Sequence, residues 1–178
     1  MRVLDQLSQV QQCFSFKEKA VPTDVIYDLV QAALAAPHPA DIFPTEFIVV
    51  RDKAKIKLLA EQCPKQSWLE FVPCLIIACS NQEKMKTLYG NRAELYAHQV
   101  TAAACYALLL QAKESKLGGC WVRLFNEKAV ARILESKLVP EAILAVGYPK
   151  EKEKKARVLT SASDVVSFEK QDEKLSPF

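Results

Sequence analysis

The stretch VTAAACYALLL, residues 100–110, decides the fold class. It lies within a helix-like run beginning near Asn91 and is apolar nearly all round, not along one stripe. A helix lacking a polar face is central to a core or to an oligomer interface. Asn91 and Glu94, spaced Asn-x-x-Glu, are close to a capping box and predict its start. Lys116-Leu117-Gly118-Gly119 predicts its end, with a basic residue in the last turn and glycine just beyond.

Working outward, four runs have strand character: FIVV (47–50), CLIIAC (74–79), CWV (120–122) and AILAVGYP (142–149). CLIIAC has no polar alternation, which predicts a strand covered on both faces. Helical spacing appears at Val3, Leu4, Leu7 and Val10. It recurs at Ile26, Leu29, Val30, Ala33 and Leu34, after a cap at Thr23 or Asp24, and at Ile56, Leu58 and Leu59, after Asp52. Asn126 predicts the cap of a further helix reaching about Glu135. The order α, α, β, α, β, α, β, α, β predicts an α/β or α+β sandwich, of which α+β is the expectation. Residues 1–149 read as one domain, and 150–178 as a polar, extended C-terminal segment.

Composition removes several functions. Half of the 178 residues are apolar, which excludes general disorder. With 24 basic and 21 acidic residues the net charge is +3, too mild a surplus for a nucleic-acid binder. No run of about 18 uninterrupted apolar residues is present, so no membrane span is expected. The N-terminal MRVLDQLSQVQQ has no apolar core of a secretory signal, which points to the cytoplasm. Six cysteines stand at 13, 63, 74, 79, 105 and 120. The closest pair, Cys74 and Cys79, falls on opposite faces of a strand, so no metal site is expected and the thiols read as reduced and buried.

Four glycines leave no dinucleotide fingerprint and no phosphate-binding loop. No Gly-x-Ser-x-Gly elbow occurs, and two histidines, His38 and His98, give little for a triad. No side chain stands out as a catalytic nucleophile, base or metal ligand. Any catalysis then belongs to a bound cofactor.

Four segments, in order, carry a resemblance: AAPHPADIFPTEFIVV (35–50), LYAHQVTAAACYALLLQAKESKLGGCW (95–121), AILAVGYP (142–149) and KKAR (154–157). Their order and spacing, over about residues 3–167, resemble the nitroreductase-like flavoprotein family. The family has Arg-Arg-Ser-x-Arg-x-Phe near the N-terminus and Ala-Pro-Ser-x-x-Asn-x-Gln-Pro-Trp-x-Phe after the second helix. A long apolar helix ending Gly-Leu-Gly-x-x-Trp, then Gly-Tyr-Pro and Lys-x-Arg, completes its pattern. The resemblance implies a mixed β-sheet flanked by helices, in an interlocked homodimer whose C-terminal segment wraps the partner. It also implies flavin mononucleotide (FMN) at the interface, with electrons passing from NAD(P)H to a small acceptor.

The departures fall on the site. VQQCFSF (10–16) holds no arginine where the family has three, and those arginines grip the flavin phosphate. His38 replaces the serine, Asp41 the asparagine, Phe43 the glutamine and Thr45 the tryptophan, while Pro37, Pro44 and Phe47 are retained. Lys155 and Arg157 keep the family's C-terminal basic pair, and Lys17 and Lys19 are the cations near its N-terminal motif. Three readings follow. Lys17, Lys19, Lys155 and Arg157 together neutralise the phosphate of a weakly or partially bound FMN; the pocket has turned to another ligand; or the chain is a flavin-free dimer with a structural or regulatory role.

Each candidate has a plainer explanation beside it. His38, between two prolines, is a cofactor-site residue acting as an acid, or a loop histidine. Asp41 accepts a hydrogen bond from a flavin ring nitrogen, or shapes a turn. Lys155 and Arg157 belong to the family position, or to the charge run around them. Tyr106 and Trp121 are core or interface aromatics. Gly118 and Gly119 stop a helix, and their amides are also what would approach a flavin.

Overall fold

The structure is a computed structural model that describes Leu7 and residues 12–151 and 160–167. The helix expected over residues 3–11 falls outside this range except for Leu7, which is helical. Four strands, β1 (Thr45–Val50), β2 (Cys74–Ser80), β3 (Gly118–Val122) and β4 (Val139–Gly147), form one sheet in the order β1-β2-β4-β3. Every pair of neighbours is antiparallel. Among the described residues the parallel component of the expected mixed sheet is one isolated bridge, between Gln12 and Gly119.

β2 and β4 hold the centre. All seven residues of β2 are buried, as its uninterrupted apolar run predicts. Leu75, Ile77 and Cys79 join Ile143 and Ala145 on one face, while Cys74, Ile76 and Ala78 join Ala142, Leu144 and Val146 on the other. The strand period of two therefore feeds two separate apolar layers. On the first face pack helix α2 (Lys53–Ala60), the one-turn segment Ser67–Phe71 and helix α5 (Glu127–Ile133). On the second lie helix α1 (Thr23–Leu34) and the long helix α4 (Ala93–Glu114), packed on each other. The apolar run 100–110 is thus buried between α1 and the sheet, with Val100, Ala104, Cys105, Leu108 and Leu109 inside.

Two caps match the sequence. Asp52 accepts from the Lys55 amide at 2.8 Å and Asn126 from the Ala129 amide at 3.0 Å, each satisfying a donor at a helix start. Elsewhere the structure corrects the reading. Pro22, not Thr23 or Asp24, precedes α1, and its fixed backbone replaces a side-chain cap. Leu58 is 49% exposed, because α2 spans only two turns and its inward positions go to Ile56 and Leu59. A separate helix α3 (Glu83–Tyr89) and a turn at Gly90–Arg92 precede α4, so Asn91 lies before the helix. Arg92 occupies the cap position without a side-chain bond, and Glu94 instead faces His98 one turn on.

The helix stop differs most. Gly118 and Gly119 are strand residues, and the left-handed position after α4 belongs to Lys116, at φ +60°. The Leu117 amide donates to the Ala112 carbonyl at 2.8 Å and the Lys116 amide to Lys113 at 3.0 Å. That is the bond pair of a Schellman stop, made with lysine where glycine is usual. Beyond β4 the described residues include a four-residue helix, α6 (Ala162–Val165), in the segment expected to be extended.

Candidate cofactor site

Residues 12–19 are stitched to the edge of the sheet. The Cys13 amide donates to the Gly119 carbonyl at 2.9 Å, the Lys17 amide to Tyr148 at 2.7 Å, and the Lys150 amide to Ser15 at 3.0 Å. Cys13 and Phe16 point inward as anchors, while Phe14, Ser15 and Lys17 stay exposed. Trp68 meets Phe14 in a T-shaped contact at 5.1 Å and stacks with Phe16 at 6.3 Å between ring centres. The position at which the family carries an arginine thus holds Phe14, an aromatic resting on an aromatic.

This stitching brings Lys17, Lys19, Gly118 and Gly119 to one side of the sheet, around β3 and the end of β4. Lys17 is exposed, and Lys19 holds its ammonium 4.1 Å above the Tyr148 ring centre. Gly119 has an internal reason to lack a side chain, since a Cβ there would lie 2.5 Å from Leu109 Cδ2. Lys155 and Arg157 lie outside the described residues.

His38 and Asp41 sit elsewhere, on the loop between α1 and β1. His38 Nδ1 lies 2.8 Å from the Ala36 carbonyl; a carbonyl only accepts, so Nδ1 carries the proton. Its ring meets Phe43 edge-on at 5.6 Å. Ala40 and Asp41 both take left-handed backbone, at φ +50° and +54°, and Asp41 is exposed. Ile42 and Phe43 then anchor the loop beside α4. Among the described residues, no hydrogen bond, ion pair or ring contact joins His38 or Asp41 to the lysines and glycines of the sheet edge.

Several polar features emerge that the sequence did not announce, one of them on Trp121, expected as a core or interface aromatic. The Trp121 indole N–H is buried with no acceptor among the described residues, and the Arg123 guanidinium covers its ring at 4.5 Å. Glu141 accepts from Ser80 Oγ at 2.5 Å and lies 2.6 Å from His98 Nδ1, pinning α4 to the starting end of β4. The spacing of Glu94 and His98, one helical turn apart, was legible; Glu141 joins them only through the fold.

Against the chemistry of FMN, these residues fit at the level of polarity. Lys17 gives an exposed cation beside the sheet edge, Asp41 an exposed carboxylate, and Trp121 a donor still without a partner. The described N-terminal segment offers lysine where the family uses guanidinium, a point charge in place of a bidentate fork. Among the described residues no cluster of histidine, cysteine, aspartate and glutamate suits a metal ion, and no helix is long and apolar enough to cross a membrane.

The family model described as nitroreductase matches residues 57–148, and the chain belongs to that family. A relative from Methanothermobacter thermautotrophicus, provisionally named NADH dehydrogenase/NAD(P)H nitroreductase, is 24% identical over 159 residues, 85% of this chain and 79% of its own. Among solved structures, an FMN-dependent nitroreductase from Clostridium difficile superposes with a TM-score of 0.79 at 24% identity, covering 94% of this chain and 99% of its own. A protein from Clostridium acetobutylicum, provisionally named NADH oxidase, gives 0.80 at 27% identity, covering 93% and 99%.

Proposed function

We propose that this protein is an FMN-dependent oxidoreductase of the nitroreductase type, acting as a homodimer in the cytoplasm. The observation that carries this reading is the stitched sheet edge. In a chain of this family, it sets Lys17 against Tyr148, one residue past the Gly147 that pairs with Gly118. The chemistry supplied by bound FMN is hydride acceptance from NAD(P)H and electron delivery to a small acceptor. Lys17, Lys155 and Arg157 would hold the phosphate, with Lys19 adding its charge from the face of Tyr148. Asp41, His38 and the amides of Gly118 and Gly119 would orient the ring. No side chain is required as nucleophile or base.

The flavin-free dimer is a second reading, favoured by Phe14 at an arginine position and by Leu109 filling the space beside Gly119. Titrating flavin-free protein with FMN, followed by flavin fluorescence, separates the two. Under the first reading Arg157→Ala loses a charge-assisted contact and weakens binding about ten- to hundredfold, while Lys174→Ala changes little. Equal affinities for wild type and both variants would leave Arg157 in the solvated charge run. No binding by wild type at tens of micromolar supports the flavin-free dimer.

A further inference from the structure

A cavity of about 400 Å³ opens on the α2 side of the sheet, within the size range of small-molecule sites. Its floor is apolar, made by Phe16, Ile56, Val72 and Pro73, the first three of them buried. Phe71 stands at its wall with 73% of its surface exposed. The rim is charged: Lys19, Arg51, Lys53 and Lys150 face Glu18 and Glu70, four cations against two carboxylates. Of the described residues assigned to FMN, Lys19 lines it, while Lys17, His38, Asp41, Gly118 and Gly119 do not.

The positive charges are not equally engaged. Lys53 pairs with Glu18 at 2.6 Å, and Lys19 lies over the Tyr148 ring. Arg51 donates through Nη1 to Thr23 Oγ1 at 3.2 Å, which leaves the other arm of its fork open. Among the described residues neither Arg51 nor Lys150 has a carboxylate within ion-pair distance. A bare inorganic anion would leave the apolar floor uncovered. A neutral hydrocarbon would bring no countercharge to the rim. One chemistry meets both demands: a planar apolar body with an anionic head.

We propose that this cavity binds an aromatic anion, its ring on Phe16 and Val72 and its carboxylate or phosphate toward Arg51 and Lys150. The site shares Lys19 with the flavin reading and none of its other described residues, and its test needs no turnover. Anilinonaphthalene sulfonate, an aromatic anion that fluoresces when sheltered from water, is titrated into the full chain. The expected result is saturable binding at one probe per chain. Benzoate and phenyl phosphate, the two head groups at issue, should compete, and whichever competes more strongly identifies the head. Benzyl alcohol, the neutral analogue, should not. Arg51→Ala should weaken the probe about tenfold or more, and Lys84→Ala, paired with Glu46 at the far end of β1 from Arg51, should leave it unchanged.

Competition by benzyl alcohol as strong as by benzoate would overturn the proposal, and this comparison uses wild-type protein alone. Wild-type affinity in a folded Arg51→Ala variant would do the same. Displacement of the probe by FMN at one-to-one stoichiometry would assign the cavity to the cofactor and overturn the proposal of a second site.

Discussion

Gly119 and Leu109 share one volume: a Cβ on the glycine would lie 2.5 Å from the leucine's Cδ2, and Leu109 is buried. Leu109 comes from α4 and Gly119 from β3, so the contact sets how closely the long helix approaches the sheet edge. Gly119→Ala should destabilise the protein by about 1–3 kcal/mol through overpacking. In a Leu109→Ala background the same substitution should cost less, giving a coupling measurable by urea unfolding of the four proteins. Equal effects in both backgrounds would mean that Leu109 is not what the glycine accommodates.

Thr45 and Thr101 are buried and bond to each other at 2.8 Å between hydroxyls, tying β1 to α4. Thr101→Val leaves the Thr45 hydroxyl buried without this partner, at a cost of about 1–3 kcal/mol. The double variant Thr45→Val/Thr101→Val removes both groups and should recover most of that loss. Thermal unfolding of the two single variants and the double variant reads the non-additivity directly.

Lys116 closes α4 in a conformation that disfavours a Cβ. Lys116→Gly should stabilise the fold by about 0.5–1 kcal/mol, the relieved strain being partly offset by a freer unfolded chain. A lower denaturation midpoint for the glycine variant would contradict the Schellman assignment.

Burial pushes the thiols of Cys63 and Cys74 from the ordinary value near 9 up to about 11. It pushes those of Cys79, Cys105 and Cys120 up to about 12. The folded state therefore keeps protons that the unfolded chain releases above about pH 9. The associated stability is complete below that value and is lost as pH rises toward 11–12. Urea midpoints should fall between pH 8 and pH 10, with a shallower fall in Cys105→Ala. Disulfide reagents at pH 8 should modify these five thiols rapidly only after unfolding.

Leu95, Ala102 and Tyr106 form an exposed stripe along α4, with Leu95 44% and Tyr106 39% accessible. In the proposed dimer this stripe is covered, and the interface buries more than about 2,000 Å². Tyr106→Glu should shift the protein toward monomer in light scattering at micromolar concentration. A wild-type monomer under those conditions would end the dimer proposal.

Local chemistry by itself determined much of this molecule. The unbroken apolar run of Cys74–Cys79 is typical of a strand covered on both faces, since each residue leaves water whichever way it points, and it is one. The amide-accepting side chains of Asp52 and Asn126 marked helix starts that needed nothing beyond their own next turn. The order of motifs pointed to the family, and the match over residues 57–148 bears that out. Tertiary structure decided what depends on distant partners. Whether Leu58 faced inward depended on what packs over α2, and the glycine that seemed to stop a helix lies in a strand against Leu109 from another element. The Glu141–His98–Ser80 network and the Arg51–Lys150 rim join residues far apart in the chain, with no spacing to announce them. Side-chain periodicity is written along the chain and can be read there; the filling of a shared volume exists only once two segments have met.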